Sequence, residues 1–471
     1  MNNELPRNIK DIPYKHAYDG KKIWTILGQN KRLVGSLTLQ NDDALLMFKL
    51  PRDDADKYKG KRVKSVTAVD TGSSRITFLD SSLWESPMSS FFNRNGEADM
   101  RLRPSLVVVQ PNSKGSIDRV ENLSAYLPGV GEWLKEDFLD FDMEEYKFKQ
   151  TKRIYHPIPL PGIATIKLYS KLTIDIDTLY MEKKFIAYPE SYVTIEFEEA
   201  RSIESAVNIF TYVENFFNFI CLTPHSTNVF TSDISKKKDK YRKTLYILNP
   251  SGHKNYQREE MRNDKDLLFN FNDISDINGV FKKWITQYRR IEEIVQALTL
   301  LRSTNVSEDM RFTTIINALE AVHRRYYDSK TMSNDDYSKK VKKIMDQIQD
   351  KTDKDFVSGK LQYGNEMSLR KRLKNVCAIG VKHGINEPSK DLQNRIIGTR
   401  NYLTHGDESR KKDALRPYEL HTANALLGRY LKLLLLQILG VNEEELTNIV
   451  SSSGQFNQYF RDEPAVPNKY F

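Results

Sequence analysis

From Trp24 to about Glu199 this chain has the texture of short β-strands, Arg32–Gln40 alternating apolar with polar residues, whereas past Asn278 apolar residues recur at spacings of three and four. A strand presents one face every second residue and a helix every three or four, so the two stretches cannot be built from the same element. A β-rich half followed by an all-helical half is therefore the first expectation. With 471 residues the chain is also too long for one ordinary core.

Within the first half, Arg32–Gln40, Ala44–Leu50, Val63–Ala68, Ser74–Leu79 and Leu106–Gln110 read as short strands between Gly, Asp, Ser and Asn clusters. Ile163–Ile176 and Tyr192–Phe197 are rich in β-branched and aromatic residues and join them. This predicts a sandwich or a strongly curved antiparallel sheet, broken in the middle by Pro157–Pro161. Ile203, Val207, Phe210, Val213, Phe216, Phe217 and Ile220 then mark an amphipathic helix over 202–222 that packs on the sheet. Thr244–Leu248 and Leu267–Phe271 look like further strands, and the boundary is placed near residue 275.

The second half offers helices over Phe281–Leu301, Phe312–Tyr327, Asp336–Gln349, Leu369–Val376, Ser389–His405 and Tyr418–Leu439. Together they predict a compact helical bundle over 278–450. Ser451-Ser452-Ser453-Gly454 reads as a linker to a tail, 451–471. The fold class expected is thus α+β with more than one domain.

Composition narrows the function. A hydrophobic content of 39% suits a globular chain. A formal charge of +9, with 63 acids still present, tilts the balance toward an anionic partner. Only Cys221 and Cys377 occur, so no disulfide framework is expected and a reducing cytoplasm fits. Met1–Lys10 lacks the apolar core of a signal peptide. Phe216–Leu222 and Leu431–Leu439 fall far short of the roughly eighteen apolar residues that span a bilayer. A soluble cytoplasmic protein with no membrane partner is expected.

Several chemistries lack their signatures. There is no phosphate-binding G-x-x-x-x-G-K-S/T loop, and Gly129-Val130-Gly131 lacks the third glycine of a dinucleotide fingerprint. H-E-x-x-H, C-x-x-C and G-x-S-x-G are all missing, and the eight histidines are scattered. Neither a metal nor a cofactor is expected.

What remains is Thr399–Asp407, with Arg400, Asn401 and His405 at the end of a late helix. Ser389 suits its N-cap and Gly406 its stop. Asn401 and His405, four apart, share a helix face, and Arg400 flanks it. On spacing alone the arrangement fits better a plain surface helix end whose histidine offsets the dipole.

Arg-Asn-x-x-x-His in an all-helical C-terminal domain resembles the R-x4-6-H motif of HEPN ribonucleases, where the residue after the arginine is commonly Asn, Asp or His. Ile316–His323 and Leu369–Leu373 resemble the ApeA-like HEPN subgroup. Trp24 followed by Val34–Leu39 resembles the start of the ApeA N-terminal domain. The resemblance implies a HEPN helical bundle, an anti-phage protein of the abortive-infection kind, and RNA as its target, transfer RNA anticodon loops being one class. It also implies a homodimer or higher homo-oligomer in which two motif helices share one site, and a phage-derived activator. Some HEPN toxins carry a tyrosine two residues after the histidine for modification by an antitoxin. Asp407 stands there, so control by the N-terminal domain is the expectation instead.

The residue types suit that chemistry. An imidazole titrates near neutrality and serves as base or acid. A guanidinium fork donates to the non-bridging oxygens of a phosphorane. Asn401 would orient the imidazole or hold a phosphate oxygen. Glu320 and His323, three apart on one helix, are candidates to support the site. Their plain alternative is an i,i+4 pair of Glu320 with Arg324 and a surface histidine. Tyr402, Arg410, Lys411 and Lys412 are candidates to bind RNA, by stacking or phosphate contact. The basic runs Lys236–Lys243 and Lys339–Lys343 read as solvated faces. A non-catalytic HEPN RNA-binding or phage-sensing module is the alternative, in which His405 would be dispensable.

Overall fold

The computed structural model describes residues 20–27, 32–40, 43–69, 75–86, 96–110, 117–134, 139–142, 147–150, 155–177, 184–221, 225–235, 243–250, 267–301, 306–327, 330–406 and 408–457. The chain divides into two compact units, Met1–Asn218 with Pro224–Asp264, and Phe219–Thr223 with Lys265–Phe471.

The first unit is an antiparallel sheet. Its strands are β1 (Gly20–Leu27), β2 (Arg32–Gln40), β3 (Asp43–Pro51), β4 (Arg62–Val69), β5 (Arg75–Glu85), β6 (Glu97–Arg103), β7 (Leu106–Gln110) and β8 (Arg119–Tyr126). They continue with β11 (Tyr155–Leu160), β12 (Ala164–Asp177), β13 (Lys184–Ser202), β14 (Val229–Asp233) and β15 (Thr244–Leu248); β9 (Leu139–Asp142) and β10 (Lys147–Gln150) pair separately. β5 uses one edge for β4 and divides the other, giving Arg75–Leu79 to β7 and Ser82–Glu85 to β6. Six strands, β5-β4-β1-β2-β3-β6, therefore close into a ring. Closure removes free edges and gives the alternation an inside. Leu37, Leu46, Leu102 and Leu83 form one cross-strand row and are all buried. Their sequence neighbours Met47 and Trp84 point outward and are exposed.

Helix α1 (Arg52–Tyr58) follows β3, and α2 (Val130–Leu134) follows β8. α3 (Ile203–Cys221) covers the sheet as its period demands. Phe210 meets Phe230 edge to face at 5.1 Å, and Trp133 does the same with Phe217 at 5.3 Å.

Pro157–Pro161 does not break the sheet as composition suggested. Pro157 and Pro159 lie in β11, which ends the strand order and pairs with β12 alone among the described residues. Both prolines share one phase of the strand, so a single outward row of amide positions absorbs both missing donors.

The second unit is helical: α4 (Ile277–Leu300), α5 (Glu308–Tyr326), α6 (Asn334–Met345), α7 (Lys351–Leu361), α8 (Leu369–Lys382), α9 (Lys390–His405), α10 (Pro417–Leu439), α11 (Glu443–Ser452) and α12 (Gly454–Asn457). α10 is its axis: Leu426, Leu427, Leu431 and Leu433–Leu436 are all buried, and the helix touches α4, α5, α8 and α11. Burial of each such side chain contributes about 1.5–3 kcal/mol. α8 approaches α10 closely because Gly380 faces the Tyr430 ring, where a Cβ would stand 2.1 Å from Cε1.

Two expectations change here. Leu267–Phe271 is not a strand: Leu267, Leu268 and Phe269 are buried in an irregular segment running into a 3-10 turn, Phe271–Asp273. Ser451–Gly454 is not an open linker either. Ser453 Oγ donates to the Leu267 carbonyl at 3.0 Å, Gln455 Nε2 to that of Ile220 at 2.7 Å, and Phe456 is buried. Among the described residues no helix is long and apolar enough to cross a membrane.

Candidate active site

Helix α9 begins and ends where its sequence says it should. Ser389 Oγ accepts from the Leu392 amide at 3.2 Å, satisfying one orphan donor of the first turn. Gly406 takes the left-handed conformation at φ 63°, and its amide donates to the Tyr402 carbonyl at 2.9 Å. A glycine pays no Cβ penalty there, so the helix stops one residue past His405.

Residues that sequence reasoning passed over hold this helix in place. Arg395 grips Glu419 at the start of α10 with both fork nitrogens, Nη1 to Oε1 at 2.6 Å and Nη2 to Oε2 at 2.5 Å. Thr399 Oγ1 accepts from the Leu415 amide at 2.8 Å and donates to the Arg395 carbonyl at 2.7 Å. Gly398 lets the 3-10 segment Glu408–Asp413 lie close, since a Cβ would stand 3.2 Å from Asp413 Cβ. The only sequence signal for these contacts is their place on the inward side of α9.

The outward side carries the motif. Arg400 Nε donates to Glu320 Oε1 on α5 at 3.1 Å, and the side chains are 21% and 13% exposed. Arg400 Nη1 reaches His405 Nε2 at 2.8 Å and lies 3.5 Å from Asn401 Oδ1. A guanidinium only donates, so Nε2 is the acceptor and the ring proton sits on Nδ1. His405 itself is exposed. The carboxylate thus anchors a half-buried cation, and the cation holds an imidazole that faces solvent.

The other expected residues divide. Glu320 does not pair with Arg324, which bonds Glu366 at 3.3 Å instead. His323 is not a surface residue: it is buried, lies 3.4 Å from Asn375 Nδ2 through Nε2, and stacks on Tyr327. Tyr402 is half-buried. Arg410 and Lys411 lie in the 3-10 segment and pair locally, with Asp413 at 3.8 Å and Glu408 at 3.4 Å, while Lys412 is exposed. Asp407 lies outside the described residues, as does Lys236–Lys243 except for Lys243. Among the described residues no group of three or more His, Cys, Asp or Glu could hold a metal ion.

Comparison with known families identifies both halves of the chain. Residues 313–445 match the model described as Apea-like HEPN, and residues 21–284 match the model described as ApeA N-terminal domain 1. No curated protein and no solved structure matches the chain.

Proposed function

The chain belongs to the ApeA N-terminal domain 1 family, joined here to an Apea-like HEPN domain, and from that premise we propose that it is an endoribonuclease whose site is Arg400, Asn401 and His405. At the level of the family this is a HEPN nuclease of anti-phage defence. The observation that carries the finer reading is the position of the Arg400 guanidinium, bonded to Glu320 on one side and to His405 on the other.

The proposed step is an internal transesterification. The 2′-oxygen of one nucleotide attacks the adjacent phosphorus, the bond to the 5′-oxygen breaks, and a 2′,3′-cyclic phosphate and a 5′-hydroxyl result. A base must take the 2′-proton and an acid must supply the 5′-oxygen. Arg400 meets the charge that grows on the non-bridging oxygens. A phosphate drawing the Arg400 fork away releases Nε2 of His405 to accept the proton. One imidazole cannot give and take at the same instant, so the second His405 comes from another copy of the chain. The exposure of His405 leaves room for that copy. Glu320 holds Arg400 in place, while the β-rich unit serves as the sensing domain for a phage-derived activator. Transfer RNA is the substrate class to try first.

End chemistry tests the mechanism. Cleaved RNA should carry 2′,3′-cyclic phosphate and 5′-hydroxyl ends. Products with 3′-hydroxyl and 5′-phosphate ends would mean that water, not the 2′-oxygen, attacks.

A further inference from the structure

Helices α6 and α7 stand apart from the bundle in their energetics. Neither contains one buried residue, and they pack on each other. Half-buried Tyr337, Val341, Ile344 and Met345 form the inner side of α6, and Tyr337 Oη donates to the Leu361 carbonyl at 2.6 Å. The hairpin adds no core to the domain, so packing does not explain its presence.

Its root is rigid. Asn365 is buried and clamps the entering strand: Oδ1 accepts from the Met332 amide at 3.1 Å and Thr331 Oγ1 at 2.9 Å, and Nδ2 donates to the Met332 carbonyl at 3.0 Å. Glu366 pairs with Arg324 at 3.3 Å and Arg372 at 3.1 Å. Six residues of helix separate Glu320 from the end of α5, so the arm leaves the bundle about 9 Å along that helix from the candidate site.

The outer side of α6 carries Lys339, Lys340, Lys342 and Lys343, all exposed. Their spacing of one, three and four residues gathers them on the arc opposite Val341 and Ile344. Asp335 and Asp336 stand four residues before Lys339 and Lys340, the spacing at which helix ion pairs close. Asp336 instead accepts from Ser333 Oγ at 2.8 Å, and among the described residues none of the four ammonium groups forms an ion pair. Favourable interaction with the helix dipole accounts for Lys342 and Lys343 in the last turn, but not for the other two. By contrast, Arg410 and Lys411 beside the motif already have acids.

We infer that the α6–α7 hairpin is an arm that grips RNA, with Lys339, Lys340, Lys342 and Lys343 lying along its phosphate backbone. The inference rests on the nuclease reading for its choice of polyanion, and it moves the principal backbone contact from the loop after His405 to this arm. Four ammonium groups on the exposed side of one helix match a run of phosphates, whose condensed counterions they release on binding.

The test is the anisotropy of a fluorescein-labelled RNA stem-loop, titrated with full-length protein carrying His405→Ala to prevent cleavage. The same protein with Lys339→Ala, Lys340→Ala, Lys342→Ala and Lys343→Ala should bind at least about tenfold more weakly at moderate salt. The slope of log K against log salt should become shallower by about 3, at roughly 0.7 to 0.9 per phosphate contact. Replacement of all four by arginine should keep both affinity and slope. Unchanged affinity and slope in the alanine protein, or no RNA binding by either protein, overturns the inference. So does an arginine protein as weak as the alanine one, or polyglutamate competing as well as unlabelled RNA. Arm-dependent binding by a wild-type protein that never cuts RNA would sink the nuclease reading and leave the arm standing. Cutting with arm-independent binding would do the reverse.

Discussion

Glu320 and Arg400 meet at 3.1 Å although 80 residues separate them in the chain, and this ion pair ties α5 to the motif helix. Its partners are mostly shielded from water, so the carboxylate sets where the guanidinium points. Glu320→Gln keeps the shape and loses the charge. It should slow RNA cleavage about tenfold, with Arg400→Ala slowing it by about 100-fold or more, as loss of a transition-state donor does elsewhere. Arg400→Lys should not restore the rate, because an ammonium cannot bond Glu320 and His405 through one planar fork. Single-turnover rates on one RNA decide the order; equal rates for Glu320→Gln and wild type would remove Glu320 from the account.

The Arg395–Glu419 pair makes a prediction about stability. Glu419 is buried, and Arg395→Met leaves its carboxylate without the paired cation. Breaking a buried pair from one side costs about 3 kcal/mol or more. The transition of the helical unit in urea should move to lower concentration, and activity should fall with it because α9 loses its grip on α10. Arg395→Met with unchanged stability would show that packing alone places the motif helix.

The β-rich unit contains a buried acid–base pair, Glu214 and His225, whose closest atoms are 3.8 Å apart. Burial pushes the Glu214 carboxyl up from 4.5 to about 7, against the hydrogen bonds from Thr227 that favour its charge. Burial pulls the His225 imidazole down from 6.5 to about 4. The raised carboxyl gives stability that is complete below pH 4.5 and fades as pH climbs toward 7. The lowered imidazole gives stability that is complete above pH 6.5 and fades as pH drops toward 4. The two trends oppose each other over nearly the same window, so their contributions offset in the wild type. Glu214→Gln should make thermal stability rise with pH between those limits, and His225→Asn should make it fall. Slopes of the same sign in both variants would contradict the assignment.

Gly380 gives a packing prediction. In Gly380→Ala the new methyl meets the Tyr430 ring, which is itself buried and bonded through its hydroxyl to the Asn386 carbonyl at 2.8 Å. Overpacking of this kind costs about 1–3 kcal/mol. Chemical denaturation of the variant should show that loss; a gain would mean that the ring has room to move.

Much of the architecture was legible because local rules set it. β2 spans the residues that alternation picks out, β7 is a short apolar β-branched run buried on both faces, and α9 runs from its Ser389 cap to its Gly406 stop. Helix α7 is not legible in the sequence because Lys351–Leu361 has no apolar stripe, and only its Asp350 cap marks it. β11 was hidden by prolines that only an edge strand tolerates. The motif itself was readable, but the partner of Arg400 was not. Sequence spacing offers Glu320 the nearby Arg324, and only the packing of α5 on α9 offers it Arg400. The burial of His323 is hidden for the same reason, since α8 covers the face it shares.

The role proposed for Arg400 and His405 is to cut RNA. It is tested most directly by incubating wild type, Arg400→Ala and His405→Ala with total RNA in EDTA, after circular dichroism has shown that all three fold alike. The account predicts discrete cleavage by the wild type and its loss, by about 100-fold or more, in both variants. Cleavage that persists in His405→Ala would contradict it.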